Sequence, residues 1–260
     1  MEMHPFYLVH VATHAMDGLL GNPAAVIVSP SLPSESRMQE LASDLNQPAT
    51  TFIALDKHPA EVRWYAPDGQ IGLCGHGSLA AAAVLRQMDI HSLELDYGQG
   101  MIGLSTQGDS YSIQLDAIMS HEEPVSNELS EAIGADIISR HANSNKHILT
   151  VSDESVVRGL RPDFEALRGF DTFGWIVTSP GDHVDFVSRT FVPHVGALED
   201  AATGSSHAAL TPFWSERMGK NDMSAQQLSA RGGQFHCRLK GGKVQLLADC
   251  QVYAEGVIHL

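Results

Sequence analysis

The sequence has few cysteines and no long apolar run, and each shortage excludes a class of protein. Its three cysteines, Cys74, Cys237 and Cys250, are far apart in the 260 residues, so no disulfide framework and no CxxC metal site is expected. Reduced thiols are typical of a cytoplasmic protein, which is the expected location. No apolar stretch reaches the roughly 18 residues of a membrane helix. The first residues also lack the basic region and apolar run of a signal peptide.

Positive charge is also scarce. The chain has 16 Lys and Arg against 31 Asp and Glu, which gives a net charge of −15. Such a surface does not neutralise phosphates, so neither nucleic acid nor a membrane is an expected partner. Hydrophobic residues make up 43% and charged residues 18% of the chain, which is typical of a globular protein. The length fits one large domain or two small ones.

Strand patterns outnumber helix patterns in both halves of the chain, which predicts an α+β fold and not a βαβ alternation. A capping box formed by Ser36 and Gln39 is expected near the start of the first helix. Helices are predicted over 33–45, 78–88, 127–133 and 206–218. Strands are predicted over 6–12, 24–28, 50–55, 61–65, 93–97, 101–105, 111–115, 147–151, 174–178, 185–192, 227–230, 234–239, 243–247 and 251–257.

An internal repeat is the most informative feature of the sequence. Cys74 follows Pro67 by seven residues, and Asp200 follows Pro193 by the same seven residues. An aromatic residue stands two positions before each proline, and each copy then has a Gly-Ser step and an alanine-rich helix. A chance similarity is one interpretation. The other is an ancestral duplication, in which Cys74 and Asp200 occupy equivalent positions in two similar domains.

Both copies carry a glycine-containing loop at the start of a helix. The first N–H groups of a helix lack internal partners, and the helix dipole favours an anion there. Glycines allow an anion to approach the backbone closely. Two such helix starts facing one cleft would hold a small carboxylate. A thiol and a carboxylate on opposite faces of one carbon suit racemisation, epimerisation or a proton shift, with His76 stabilising the Cys74 thiolate or relaying the proton.

Four motifs, taken in order, resemble those of the PhzF-like family, which is named after an isomerase of phenazine biosynthesis. The resemblance implies the diaminopimelate epimerase fold, with two duplicated α+β domains that each curl a mostly antiparallel sheet around a central helix. It implies domains over 1–118 and 119–250, with 251–260 as a strand that returns to the first domain, and it suggests a homodimer. The motifs are Gly21-Asn22-Pro23-Ala24-Ala25-Val26, Asn46 to Phe52, Cys74-Gly75-His76-Gly77 and Glu199 to Ser205.

The second motif departs from the family pattern N-x-S-E-T-x-F. Ala49 stands where the family has its catalytic glutamate, and alanine carries no proton, so the glutamate-centred mechanism does not transfer. The substrate-contacting histidine and aspartate of the family match His76 and Asp200. In related epimerases and racemases of this fold, the two bases are cysteines at paired positions. Cys74 matches the first of them and Asp200 replaces the second.

The expected function is therefore an isomerase or epimerase that moves a proton on a small carboxylated metabolite in the cleft between the halves. Cys74 and Asp200 form the acid–base pair, and His76 assists. No metal and no organic cofactor is expected, because backbone dipoles stabilise enolate-like charge. The alternatives are a dehydratase or lyase at the same site and a binding protein that has lost its glutamate. The residues expected to bind substrate are Asn22, Gly75, Gly77, Ser78, Thr203, Gly204 and Ser205.

Each candidate also has a structural interpretation. Free cysteine is among the most buried residue types, so Cys74 would also fit a core position, as expected for Cys237 and Cys250. Asp200 would also serve as the cap of the helix that follows it. Capping and catalysis are compatible, so these interpretations do not exclude a role in the site.

Overall fold

A computed structural model of the chain describes residues 3–108, 110–144 and 146–260. The chain folds as two compact units. The first runs to Leu115 and resumes over Gln245–Leu260, and the second is Asp116–Val244. The domain boundaries expected after residues 118 and 250 lie a few residues beyond these divisions. Within the described residues, no helix has the length and apolar character needed to cross a membrane.

Strands dominate the chain, and a few helices lie between them. A short 3-10 turn at Ala15–Asp17 follows the first strand. The helices are α1 (Glu35–Leu45), α2 (Gly75–Gln87), α3 (Asn127–Ile133), α4 (Glu154–Gly159), α5 (Phe164–Arg168) and α6 (Gly204–Met218). The strands are β1 (Met3–Thr13), β2 (Asn22–Ser29), β3 (Thr50–Ala54), β4 (Ala60–Ala66), β5 (Gly69–Ile71), β6 (Ser92–Asp96), β7 (Met101–Gln107), β8 (Ser110–Asp116), β9 (His121–Glu123), β10 (Ser139–Ala142), β11 (His147–Thr150), β12 (Trp175–Pro180), β13 (Phe186–Phe191), β14 (Glu199–Asp200), β15 (Asp222–Gln227), β16 (Gly233–Lys240) and β17 (Lys243–His259).

In the first unit, a curled sheet surrounds helix α2. Strands β1 and β2 pair antiparallel, β2 and β3 parallel, β3 and β4 antiparallel, β4 and β6 parallel, and β6 and β7 antiparallel. Strand β17 pairs with β1 from Met3↔His259 to Thr13↔Asp249, and it also pairs with β8. Helix α2 contacts β1, β2, β3 and β7, and all its residues from Gly75 to Leu85 are buried. A helix that is apolar all round is a core helix, and its small alanines let the strands approach it closely.

The second unit repeats the strand pairings of the first. Strands β10 and β11 pair antiparallel, β11 and β12 parallel, β12 and β13 antiparallel, β13 and β15 parallel, and β15 and β16 antiparallel. A short strand returns against its neighbour at the same place in both units, β5 against β4 and β14 against β13. Helix α6 contacts β15 and β16 and is buried from Ser206 to Ser215. The chain therefore has the predicted α+β fold of duplicated domains.

Several local details differ from the sequence-based expectations. The predicted capping box is wrong, because Ser34 is the N-cap of α1 and its Oγ accepts a hydrogen bond from Arg37 N. Ser36 already lies inside the helix, and the Gln39 side chain donates to the carbonyl of Ala66. The strand expected over 227–230 is also wrong, because the strand there, β15, ends at Gln227. The short helices α4 and α5 lack the long periodic pattern that reveals a helix in a sequence.

Candidate active site

Helix α2 begins at a loop that holds a buried thiol. Cys74 is the N-cap residue, and its Sγ accepts a hydrogen bond from Gly77 N at 3.4 Å. The same sulfur lies 3.5 Å from His76 Nδ1. Cys74 is 5% exposed and His76 is 8% exposed. The sulfur therefore lies at the N-terminus of α2 in contact with an imidazole and a backbone N–H.

Two further residues of this loop fix its geometry. A Cβ at Gly77 would lie 2.7 Å from Trp64 Cδ1 and 2.9 Å from Thr51 Oγ1, so only glycine fits there. Thr51 Oγ1 donates to Gly77 O at 3.2 Å. Ser78 is fully buried, and its Oγ donates to Cys74 O at 2.7 Å. Both were expected to bind substrate, and the contacts seen here hold the loop in place.

Helix α6 begins at a loop built around a carboxylate. Thr203 is the N-cap residue, and its Oγ1 donates to Asp200 Oδ2 at 2.7 Å. The buried Gln227 supports this pair, because its Nε2 donates to Asp200 O at 2.6 Å and to Thr203 Oγ1 at 3.1 Å. Gln227 Oε1 accepts from Thr203 N at 2.8 Å. These hydrogen bonds fix the orientation of the Asp200 carboxylate.

The structural counterpart of Cys74 is Thr203 and not Asp200, which corrects the equivalence expected from the repeat. The two N-cap residues have nearly the same backbone angles, φ −119° and ψ 101° for Cys74 and φ −118° and ψ 106° for Thr203. The residue four positions later binds the N-cap carbonyl in both loops. Ser78 Oγ does so at 2.7 Å and His207 Nδ1 at 2.8 Å.

The register of the strands also makes Thr203 the counterpart of Cys74, and it explains why the spacing of the repeat pointed to Asp200. Asp200 pairs with Thr190 on β13, at the position that Ile71 occupies against Trp64 on β4. Each of these two residues stands three positions before its N-cap. Only residues 67–68 connect β4 to β5, whereas residues 192–198 connect β13 to β14. The longer connection shifts the second copy, so the equal spacing from each proline does not mark equivalent positions.

His207 has a structural role in the second loop. It is fully buried, and its ring lies 4.1 Å from the ring of Phe235 and 6.0 Å from that of Phe186. Burial lowers the pKa of His207 to about 4, so the imidazole is neutral at physiological pH. Because a carbonyl only accepts, Nδ1 carries the proton and donates it to Thr203 O.

Lys146 is a residue of the second loop that the sequence did not indicate. It lies directly before β11 and is only 5% exposed. Its Nζ donates to Ser205 Oγ at 2.9 Å. Burial lowers the pKa of Lys146 to about 8, although the charge of Asp200 raises it. In the sequence, Lys146 was marked only as a lone lysine next to an apolar strand. Gln227, at the end of β15, had no clearer mark.

The remaining sequence-based candidates lie at the starts of elements. Asn22 is the buried first residue of β2, and Gly75 and Gly204 are the buried first residues of α2 and α6. Ala49 is fully buried directly before β3, where its carbonyl accepts from Ala25 N at 2.9 Å. The first unit brings together Cys74, Gly75, His76, Gly77 and Ser78, and the second brings together Asp200, Thr203, Gly204 and Ser205.

Comparisons with known proteins span both units. The family described as phenazine biosynthesis-like protein (PhzC-PhzF) matches residues 11–257. A Pseudomonas aeruginosa protein named as an uncharacterized isomerase is 35% identical over 243 residues, which cover 92% of this chain and 93% of that protein.

Solved structures agree with this match. A PhzF-family protein of Enterococcus faecalis superposes with a TM-score of 0.93 at 33% identity and covers 100% of both chains. A hydroxyproline epimerase of Agrobacterium vitis, solved with trans-4-hydroxy-L-proline, has a TM-score of 0.65 at 13% identity over 98% of this chain and 92% of that one, and it shares the fold. On these matches and on the motifs at the starts of α2 and α6, the chain belongs to the phenazine biosynthesis-like (PhzC-PhzF) family.

Proposed function

We propose that this chain is a cofactor-independent isomerase or epimerase that moves a proton on a carbon of a small carboxylated metabolite. Membership of the family and the name isomerase of its relatives support the class of reaction. The observation that carries the proposal is the buried Cys74 thiol at the start of α2, in contact with the His76 imidazole and the Gly77 N–H.

In the proposed reaction, Cys74 and Asp200 act on the same carbon. One of them takes the proton, the electron pair of the broken C–H bond delocalises into the neighbouring carboxylate, and the other group returns a proton to the carbon. N–H groups at the starts of α2 and α6 stabilise the negative charge that develops. The proposal requires the two loops to serve one ligand, in the cleft between the halves that the family resemblance implies.

Ala49 determines which residues have to move the proton. The family resemblance implies a glutamate at this position, and a buried methyl group replaces it here. A methyl group neither takes nor gives a proton at neutral pH. The proposed reaction therefore assigns the proton to Cys74 and Asp200, with His76 exchanging it with the thiol.

The test is solvent isotope uptake. Amino acids and hydroxy acids are incubated with the protein in deuterated water, and deuterium at carbon is followed by NMR and mass spectrometry. We expect the native chain to exchange at least one of these acids and Cys74→Ser to lose the exchange. Cys250→Ser is the matched control, because burial raises the pKa of Cys250 and keeps it a neutral thiol at physiological pH.

The products decide among the candidate functions. Deuterium incorporation with no loss of a group from the substrate supports an isomerase or epimerase. An unsaturated product indicates a dehydratase or lyase. A tightly bound acid that never exchanges indicates a binding protein, and an unchanged rate in Cys74→Ser overturns the proposed role of this thiol.

A further inference from the structure

We propose that Lys146 is a positioning residue for the second helix start: its ammonium group aims the hydroxyl hydrogen of Ser205 at the bound anion and places a positive charge near Asp200. The inference rests on the proposed function, in which Ser205 binds an anionic group of the substrate. None of the sequence motifs includes Lys146, which lies 59 residues from Ser205 in the chain.

The hydrogen bond between Lys146 and Ser205 has only one possible direction while the lysine is charged. An ammonium group has three donors and no acceptor, so Ser205 Oγ accepts at 2.9 Å. The Ser205 hydroxyl hydrogen is then directed away from Lys146 and is available to another acceptor. Ser205 is partly exposed while Lys146 is buried, so the hydroxyl is the part of this pair that a ligand reaches.

Stability alone does not explain a lysine at this position. Burying an ammonium group is costly, and lysine is almost never fully buried without a partner. The N-terminus of α6 carries the positive end of the helix dipole, so it also disfavours a nearby cation. Asp200 opposes both effects, because its charge raises the pKa of Lys146 against the lowering by burial. A bound anion would be stabilised by both the ammonium group and the helix start.

Lys146 also contacts an aromatic ring and an amide oxygen. The ring centre of Phe173 lies 5.4 Å from Nζ, and the backbone N–H of Lys146 donates to Asn143 Oδ1. The neighbouring His147 accepts hydrogen bonds from Arg140 through its Nδ1, and burial lowers the pKa of His147. Against these surroundings, the charge of Asp200 raises the pKa of Lys146.

Loss of the Lys146 proton would reverse the hydrogen bond. A neutral amine accepts, so the Ser205 hydroxyl would turn toward Lys146 and away from the ligand. The positive charge near Asp200 would disappear in the same step. Because burial lowers the pKa of Lys146 to about 8, the proposal predicts that proton exchange on the substrate declines as the pH rises through about 8.

The first experiment needs no substrate. The chain has five lysines, so NMR of the lysine side chains resolves each titration, and Lys146→Arg identifies the signal of Lys146. We expect the Lys146 midpoint near pH 8, a decrease of about one pH unit in Asp200→Asn, and a smaller decrease in Ser205→Ala. Asp136→Asn, an exposed change in the same unit, is expected to leave the midpoint unchanged. A midpoint near the ordinary 10.4, or one that ignores both Asp200→Asn and Ser205→Ala, overturns the proposal.

The second experiment uses the isotope-uptake assay over pH 6–10. In the native chain we expect an alkaline decline with the midpoint that NMR gives for Lys146, and in Lys146→Met a rate about tenfold lower without that decline. Lys146→Arg, which stays charged, is expected to move the decline to higher pH. A Lys146→Met profile with the native decline would leave Lys146 a purely structural role. If no acid exchanges while the NMR result holds, the proposed function fails and the coupling of Lys146 to Asp200 and Ser205 stands.

Discussion

The starts of α2 and α6 share one backbone arrangement and carry different chemistry. In both, a short strand returns against its neighbour, an N-cap residue with φ near −118° follows, and the fourth residue after it binds the N-cap carbonyl. In the first unit the N-cap residue itself, Cys74, carries the group to which the proposed function assigns proton transfer. In the second, the N-cap Thr203 orients Asp200, three residues earlier. The two units keep the same backbone arrangement at this loop, whereas the side chains in the two loops differ.

The two loops also differ in the groups that surround Cys74 and Asp200. Cys74 has the His76 imidazole and a backbone N–H as its partners. Asp200 lies in a network of Thr203, Gln227 and the charge of Lys146. Under the proposed function, the first loop places an imidazole beside the thiol, and the second loop fixes the orientation of the carboxylate.

The largest expected effect is on isotope exchange, where Asp200 and Thr203 should differ most. Under the proposed function, Asp200→Asn removes a proton-carrying group, so we expect a decrease of about 10²–10⁴-fold in isotope exchange. Thr203→Val removes one hydrogen bond to the carboxylate and is expected to cost about tenfold. Asp136→Asn is the control. A greater loss in Thr203→Val than in Asp200→Asn would make the N-cap the reactive position in both loops.

The next effect is a pH dependence confined to the second loop. The folded state keeps His207 neutral down to about pH 4, whereas the unfolded chain takes up the proton at about pH 6.5. The unfolded state therefore binds more protons in this window, and His207 should lower the free energy of unfolding by about 3 kcal/mol as the pH falls from 6.5 to 4.

Ser78 occupies the equivalent position in the first loop and does not titrate. Replacing His207 by this residue, as His207→Ser, should remove that part of the pH dependence even though the variant is less stable throughout. Urea unfolding at pH 7 and at pH 4.5 measures how much free energy of unfolding the native chain and His207→Ser each lose on acidification. Equal acid sensitivity in the two proteins would show that other groups cause it.

A smaller effect concerns the space available at the start of α2. Gly77→Ala places a Cβ against Trp64 and Thr51, and overpacking of this kind costs about 1–3 kcal/mol. Gly103→Ala, whose Cβ would meet nothing within 4 Å, should change the free energy of unfolding much less. Urea unfolding of both variants checks this, and equal stability of the two would contradict the tight packing of this loop.

The smallest effect is expected at Ser78. Ser78→Ala removes the hydroxyl that donates to Cys74 O, but that carbonyl still accepts from Ser78 N at 3.0 Å. The cost should be about 1 kcal/mol in the free energy of unfolding. Isotope exchange should stay within about threefold of the native rate, far less than the roughly 10²–10⁴-fold loss expected when a proton-carrying group is removed. A loss as large as that of Cys74→Ser would assign Ser78 to the substrate.

Much of the fold could be predicted from local patterns. Helix α3 occupies 127–133 as predicted, and β2, β3 and β7 lie within a few residues of their expected bounds. Helix α2 starts three residues earlier than expected, at Gly75, because its glycine-rich first turn has poor helix propensity and is held by the Cys74 cap. Strands 243–247 and 251–257 form one long β17, whose pairing with β1 a local pattern does not show.

From the sequence alone came the α+β class, the resemblance to the family and the choice of Cys74, His76 and Asp200 as candidates, because these rest on periodicity and on motifs of adjacent residues. The repeat left chance and duplication open, and the matching strand pairings of the two units showed the duplication. The equivalence of Thr203 and Cys74 became visible only in three dimensions, because strand register and cap geometry define equivalent positions and residue counts across loops of unequal length do not. Only the tertiary structure brought Lys146 and Gln227 to Ser205, Thr203 and Asp200, because the contacts join residues 24–59 positions apart that share no motif.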